Sequence, residues 1–206
     1  MAIRRRGCPW VVLALPAAFA LCAAAGTTAG KDLLAALHRG GYVILMRHAS
    51  SPGASPDSAQ ADPDNVRHER QLDETGRTSA RAMGEAFRRL QIPIGEVLSS
   101  PTYRALETVR LAGLGTAQPY EQLGDGRQAA TSDPGAWLRG RVAQAPKAGS
   151  NTLIVTHAPN IRAAFPDESS DLAEGEALIF RPDGHDGASF IGHVRIEDWP
   201  RLDSAP

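Results

Sequence analysis

Four side chains of two kinds, guanidinium and imidazole, occur where the sequence predicts that a strand ends or a helix begins. They are Arg47, His48, Arg104 and His157. A phosphoryl group in transfer carries negative charge on three oxygens, which fixed guanidinium groups can stabilise. A neutral imidazole can attack phosphorus and hold the phosphoryl group covalently. These residues therefore predict phosphoryl-transfer chemistry.

Two predicted strands must bring the imidazoles together. The apolar run at residues 42–46 closes on Arg47 and His48, and the run at residues 151–156 closes on His157. Open α/β sheets place their sites at the carboxyl ends of strands. We therefore expect both histidines at one site.

A predicted helix start lies between these two strands. Ser100 can cap this helix and Pro101 can open it, so Arg104 is expected one turn inside. A helix N-terminus favours a bound anion, and Arg104 would add a full positive charge to it.

The spacing of apolar residues predicts an α/β fold. Strands alternate with helices, which indicates a mostly parallel central sheet with helices on both faces. Residues 176–181 and 189–196 predict a C-terminal antiparallel hairpin. The expected core-facing stripe of one helix consists of Ala82, Met83, Ala86, Phe87 and Leu90.

Residues 1–25 have the pattern of a secretory signal peptide. Three arginines precede an apolar run and small residues, which predicts cleavage after Ala25 or Ala29. A retained membrane anchor is the alternative, but the run contains Pro16 and is short for a span of about 20 residues. Residues 30–206 are then expected to be a single domain, periplasmic or secreted, with no stable membrane span.

Composition narrows the chemistry and the partners of the mature chain. Both cysteines, Cys8 and Cys22, fall within the leader, which excludes disulfides, thiolate metal sites and a cysteine nucleophile. Removing the leader takes three arginines from the 22 basic residues and leaves 19 against 23 acidic ones, a net charge of −4. No nucleic-acid surface is implied. No tight His, Asp and Glu cluster has metal-ligand spacing.

Three motifs in this order resemble those of the histidine phosphatase superfamily, which includes the cofactor-dependent phosphoglycerate mutases. They are Arg-His, Ser-Pro-x-x-Arg-Ala-x-x-Thr and Thr-His-x-x-x-Ile-Arg, and the resemblance covers most of residues 40–165. It implies a phosphoglycerate mutase-like fold without metal or cofactor. By resemblance, His48 is the nucleophile and Arg47 and Arg104 bind phosphoryl oxygens. His157 would donate a hydrogen bond to another of these oxygens.

The resemblance also implies a carboxylic acid that protonates the leaving alcohol. One branch of the superfamily carries this acid after the arginine-bearing helix, where Asp125 is the best match and Glu121 the alternative. Glu174 and Glu176 are further candidates. Another branch places an aspartate directly after the second histidine, but this sequence has Ala158 there.

The stretch after His48 departs from the superfamily pattern. Ala49 stands where glycine is usual, and we expect its small side chain to be tolerated. The following residues lack the polar pair of the mutases, which disfavours a mutase. Residues 50–70 form a polar insertion that is expected to set substrate choice. Its basic residues are interpreted as solvated, with a lid that meets the substrate as the alternative: Arg67, His68 and Arg70.

The sequence therefore predicts an exported, metal-independent phosphatase that hydrolyses phosphomonoesters through a phosphohistidine on His48. Its expected partner is a small phosphorylated substrate, with an envelope phosphosugar as one candidate by analogy. Two alternatives stay open. A protein phosphohistidine phosphatase would use the same pocket without a strong general acid, and a non-catalytic module would only bind phosphate.

Overall fold

The computed structural model of the chain describes residues 22–125 and 133–203. Residues 1–21, which hold most of the predicted signal peptide, lie outside the described residues, so export stays a prediction. The described helices are α1 Cys22–Arg39, α2 Glu74–Arg89, α3 Tyr103–Ala112, α4 Pro134–Val142 and α5 Ala158–Ala164, with short 3₁₀ helices at Glu121–Leu123 and Trp199–Arg201. The described strands are β1 Val43–Arg47, β2 Ile94–Ser99, β3 Gln118–Pro119, β4 Asn151–Thr156, β5 Ala177–Pro182 and β6 Ala188–Val194.

The strands form one sheet in the order β3-β2-β4-β1-β5-β6. β1 and β2 each pair with β4 in parallel, and β3 pairs in parallel with β2. β5 pairs antiparallel with β1 and with β6. The predicted fold class is therefore confirmed, including the C-terminal hairpin. Because β1 and β4 are neighbours, their carboxyl ends meet.

Apolar side chains of β1 alternate between the two faces of the sheet, as a strand covered on both sides requires. Ile44 and Met46 pack in the core layer that includes Phe87 of α2. Val43 and Leu45 pack in the opposite layer, with side chains of α4 and α5. The helices thus cover both faces and hold β1 and β4 rigidly at the centre.

The helix that carries Arg104 begins later than the sequence predicts. α3 starts at Tyr103 with Thr102 at its N-cap, and Thr102 makes no side-chain capping bond. Ser100 directly follows β2, and its backbone N–H donates to the Val155 carbonyl of β4 at 2.8 Å. The predicted cap at Ser100 is therefore wrong, because this bond to β4 holds that residue at the end of the sheet.

The remaining helices follow the sequence with small shifts. In α2 the residues Met83, Ala86 and Phe87 are buried, and Leu90 is buried just after it, whereas Ala82 is half-buried rather than part of the core. Within residues 22–125 and 133–203, no helix is both long and apolar enough to span a membrane.

Candidate active site

His48 and His157 meet at the carboxyl ends of β1 and β4. The His48 N–H donates to the Thr156 carbonyl at 3.0 Å, and His157 is the residue that precedes α5. Their ring centroids lie 5.2 Å apart, and the two residues are only 3% and 2% exposed. The structure therefore brings the two predicted imidazoles to one point.

His48 is a neutral imidazole with a defined tautomer. Its Nδ1 lies 2.8 Å from the Ala49 carbonyl oxygen, which can only accept, so Nδ1 carries the proton. Nε2 keeps its lone pair, to which Arg104 Nε donates at 3.2 Å. Burial, with a smaller contribution from the arginine charges, lowers the pKa of His48 from 6.5 to about 4. At neutral pH, Nε2 is therefore available as a nucleophile once the Arg104 bond opens.

Arg104 joins the other predicted site residues. It is buried, and its Nη2 donates to His157 Nδ1 at 3.1 Å and to Asp125 Oδ2 at 3.0 Å. Its Nη1 has no hydrogen-bond partner among the described residues. Arg104 can therefore bind a phosphoryl oxygen through Nη1 while it still contacts both imidazoles.

His157 has the opposite tautomer. Its Nδ1 accepts from Arg104, so Nε2 carries the proton and donates to Ser100 Oγ at 2.8 Å. Burial first, and then the charge of Arg104, lower the pKa of His157 to about 2. The predicted bond from His157 to a phosphoryl oxygen therefore needs a second proton on this ring, which an adjacent phosphoryl dianion would favour.

Arg47 lies beside the imidazoles with its guanidinium paired elsewhere. Its Nη1 donates to the Leu172 carbonyl at 3.0 Å, and its Nη2 donates to Glu174 Oε1 at 2.9 Å. Its charge contributes to the lowered pKa of His48, although none of its described hydrogen bonds goes to an imidazole. Glu174 is thereby committed to an ion pair, and the role of Arg47 as a phosphoryl ligand stays a prediction.

The carboxyl candidates for proton donation differ in their surroundings. Asp125 lines a cavity together with Arg104. Glu121 is exposed, and Glu176 is buried with its carboxylate accepting from the Ala173 N–H at 2.8 Å and 3.1 Å from His193 Nδ1. Geometry therefore favours Asp125, whose catalytic role stays a prediction. In residues 22–125 and 133–203, no group of three or more His, Cys, Asp or Glu residues could hold a metal ion.

The cavity over Arg104 and Asp125 has a volume of about 540 Å³. This size is within the range of sites that bind small ligands. The rest of its wall comes from the turn before α3 and from the insertion: Gly53, Ser55, Arg67, Glu69, Arg70 and Thr102. The insertion therefore contributes directly to the candidate site.

Arg70 is a cavity residue for which the sequence favours a solvated position over a lid that meets the substrate. Arg67 and His68 are exposed, as the solvated interpretation expects. Arg70 is half-buried and lines the cavity, so that interpretation is wrong for this residue. No local pattern separates Arg70 from Arg67, because the difference arises from contacts with the segment after His48.

Ala49 fits the backbone after the nucleophile without strain. It is fully buried, and its N–H donates to Thr108 Oγ1 at 3.2 Å. Among the described residues, the positive φ angles outside glycine occur at His68 and Gln91. A glycine is therefore not required at position 49, as expected.

Comparison with known proteins agrees with this geometry. A family model described as the histidine phosphatase superfamily (branch 1) matches residues 43–125, the segment from β1 to the candidate proton donor. No curated protein matches the chain.

Several solved structures are similar in fold. One is the protein histidine phosphatase SixA complexed with tungstate, at 17% identity, with 76% of this chain and 98% of that chain covered and a TM-score of 0.55. Another is a putative phosphohistidine phosphatase SixA from Agrobacterium tumefaciens, at 18% identity, with 75% and 97% covered and a TM-score of 0.51. The product of an open reading frame from Mycobacterium tuberculosis has 18% identity, with 74% and 96% covered and a TM-score of 0.50. The family match over residues 43–125 and the paired histidines support the histidine phosphatase superfamily, and the solved structures show that the chain shares this fold.

Proposed function

We propose that the chain is an exported phosphatase that hydrolyses small phosphomonoesters through a phosphohistidine on His48, without a metal ion. The observation that carries this proposal is the state of His48. Its Nδ1 proton is held by the Ala49 carbonyl, and its Nε2 lone pair is directed to Arg104 at the cavity. This is the tautomer that a nucleophilic imidazole needs.

The reaction proceeds in two displacements. In the first, His48 Nε2 forms a bond to phosphorus, the bond from phosphorus to the ester oxygen breaks, and the leaving oxygen takes a proton from Asp125. In the second, water attacks the phosphohistidine and gives a proton to Asp125, and the phosphorus–nitrogen bond breaks to release inorganic phosphate. The Nδ1 proton of His48 stays on the ring throughout, and Nδ1 keeps donating its hydrogen bond to the Ala49 carbonyl.

Arg104 supplies most of the charge complementarity in this scheme. The free N–H groups of its Nη1 would bind one phosphoryl oxygen, and its bond to His48 Nε2 would be replaced by the bond to phosphorus. A dianion at this position would also compete with Asp125 for Arg104, which would free the Asp125 carboxyl group to contact the leaving oxygen.

The substrate is proposed to be a small phosphate ester, with an envelope phosphosugar as one candidate. The cavity volume and the polar wall of the insertion support a small polar substrate. The envelope location rests on the leader pattern of residues 1–25.

A protein phosphohistidine phosphatase is the second candidate, and one contact favours it. Asp125 Oδ2 accepts a hydrogen bond from Arg104 Nη2 at 3.0 Å, so this oxygen is already engaged by a guanidinium. The imidazole of a phosphohistidine leaves phosphorus without strong acid assistance, so this activity would not need a proton from Asp125.

The test of the proposed function is capture of the covalent intermediate. The mature chain is mixed with a labelled aryl phosphate in the presence of a chelator and quenched with alkali during turnover. We expect label on His48 that is stable in base and lost in acid, and we expect His48→Ala to abolish both label and hydrolysis. The exposed His185, changed to Ala, serves as the control and should keep both. Substantial hydrolysis by His48→Ala would refute the mechanism.

A further inference from the structure

Arg70 is a cation of the cavity wall with unused donors. Its Nε donates to the Pro52 carbonyl at 2.6 Å and its Nη2 to the Ser51 carbonyl at 3.2 Å. Its Nη1 has no partner within residues 22–125 and 133–203, as is also the case for Nη1 of Arg104 on the same wall. Of the three arginines that line this cavity, Arg70 and Arg104 are the two half-buried or buried ones, and each has an Nη1 available to an oxyanion.

Arg70 forms no ion pair with a carboxylate among the described residues, although the charges of Glu174 and Asp125 reach it and offset part of its own. Arg47 pairs with Glu174 and Arg104 pairs with Asp125, whereas the described bonds of Arg70 go to neutral carbonyls. Burial, followed by the charge of Arg104, lowers the pKa of Arg70. Such a cation gains from a bound anion, because the anion offsets both its desolvation and the repulsion from Arg104.

The segment around Arg70 is anchored to the segments that carry the reacting groups. Ser51 lies three residues after His48, and its hydroxyl donates to the Gln71 carbonyl at 2.9 Å. Glu69 Oε2 accepts the backbone N–H of Tyr103 at 2.9 Å, directly before Arg104. Arg70 is thus held between the segment that follows His48 and the start of the helix that carries Arg104. Transition-state stabilisation requires such preorganisation.

We propose that Arg70 is a third arginine of the phosphoryl-binding site, whose Nη1 donates to a non-bridging oxygen of the group that His48 receives. This role rests on the phosphatase function proposed above. A residue that binds the transferred phosphoryl group affects all phosphate esters alike, so the loss of Arg70 should lower the rate for every ester. A contact with the leaving group would affect only some esters. Orthovanadate, which resembles the transferred group and lacks any leaving group, is the suitable probe.

The experiment compares wild type, Arg70→Gln and Arg70→Lys, with Arg81→Gln as the control. Arg81 is exposed on α2, so its replacement removes the same charge away from the cavity. We expect Arg70→Gln to lower kcat/KM for p-nitrophenyl phosphate on the order of a hundredfold and to weaken orthovanadate binding at least about tenfold. Arg70→Lys, which retains the charge without the planar fork, should recover only part of the loss. Arg81→Gln should match wild type.

Two outcomes would overturn the role of Arg70. One is an affinity for orthovanadate equal to that of wild type in a folded Arg70→Gln variant. If Arg70→Gln does not fold, the affinity of Arg70→Lys provides the test. The other is a loss confined to esters that carry a second anionic group, which would make Arg70 a leaving-group contact. Calorimetric binding of orthovanadate keeps the two hypotheses apart. If wild type hydrolyses no ester, the phosphatase proposal fails, while weaker orthovanadate binding by Arg70→Gln still supports Arg70 as an oxyanion ligand.

Discussion

Arg104 is bonded to both imidazoles and to the candidate proton donor, so a single guanidinium organises the groups that the proposed reaction needs. Its contacts with the imidazoles also determine which nitrogen of each ring carries the proton. Nε2 of His48 and Nδ1 of His157 both accept from it, which directs their protons to the Ala49 carbonyl and to Ser100. Asp125 is the member whose state must change during ester hydrolysis.

At the residue scale, Asp125→Asn should separate ester hydrolysis from phosphohistidine hydrolysis. An alkoxide leaves poorly unless it is protonated, whereas an activated aryloxide needs little help. We expect the variant to lose about a hundredfold or more in kcat on alkyl phosphates and to keep much of the aryl phosphate rate. Steady-state rates across a series of leaving groups measure this difference.

Glu121→Gln is the matched control, because Glu121 is exposed on the same segment. Selective loss of alkyl phosphate hydrolysis in this variant would move the proton donor to Glu121. If both variants hydrolyse phosphohistidine normally and wild type never accepts alkyl esters, the second candidate function is correct.

At the element scale, the position of Arg104 depends on how closely α2 and α3 pack. A Cβ added at Gly84 of α2 would overlap the Ala112 carbonyl oxygen at the end of α3. The neighbouring Arg88 donates to the same carbonyl at 2.9 Å, which ties the two helices together at this point. Glycine therefore permits a contact between helices that supports the active-site helix.

Gly84→Ala should lower the free energy of unfolding by about 1–3 kcal/mol, because the helices must move apart to admit the methyl group. Gly140→Ala is the control, since the added Cβ in α4 meets no atom within 4 Å. That substitution should instead stabilise the protein by about 0.5 kcal/mol through the lower entropy of the unfolded chain. Urea denaturation measures both. Equal stability of the two variants would contradict the proposed close packing of α2 and α3.

At the scale of the whole molecule, burial of two neutral imidazoles makes stability depend on pH. The folded pKa values of about 4 for His48 and about 2 for His157 lie below 6.5, the ordinary value that we take for the unfolded chain. Below pH 6.5 the unfolded chain therefore binds more protons than the folded one, and the free energy of unfolding falls as the pH falls. Above pH 6.5 both states are neutral at these residues, and the dependence disappears.

Denaturation curves between pH 7 and pH 4 should accordingly show a loss from His48 alone on the order of 3 kcal/mol by pH 4. His157→Gln should reduce the slope of stability against pH, whereas His185→Gln, at an exposed position, should leave it unchanged. An unaltered slope in His157→Gln would mean that this imidazole titrates normally in the folded protein.

The sequence by itself determined the elements and the main site residues. The apolar runs before His48 and His157 predict strands because the pattern that indicates a buried strand lies in residues that are adjacent in the sequence. Their meeting at one site follows from the rule that carboxyl ends of parallel strands share an edge. Arg104 was also correctly predicted near them, although the helix start was placed too early.

Tertiary structure alone decided the features that depend on contacts between distant residues. The Ser100 N–H is bonded to the end of the sheet because β4, more than fifty residues further along the chain, provides the carbonyl of Val155. Arg47 is paired with Glu174, and Arg70 lines the cavity because carbonyls after His48 hold its guanidinium. No periodicity or motif in the sequence predicts these contacts, because each depends on where the fold brings two distant segments together.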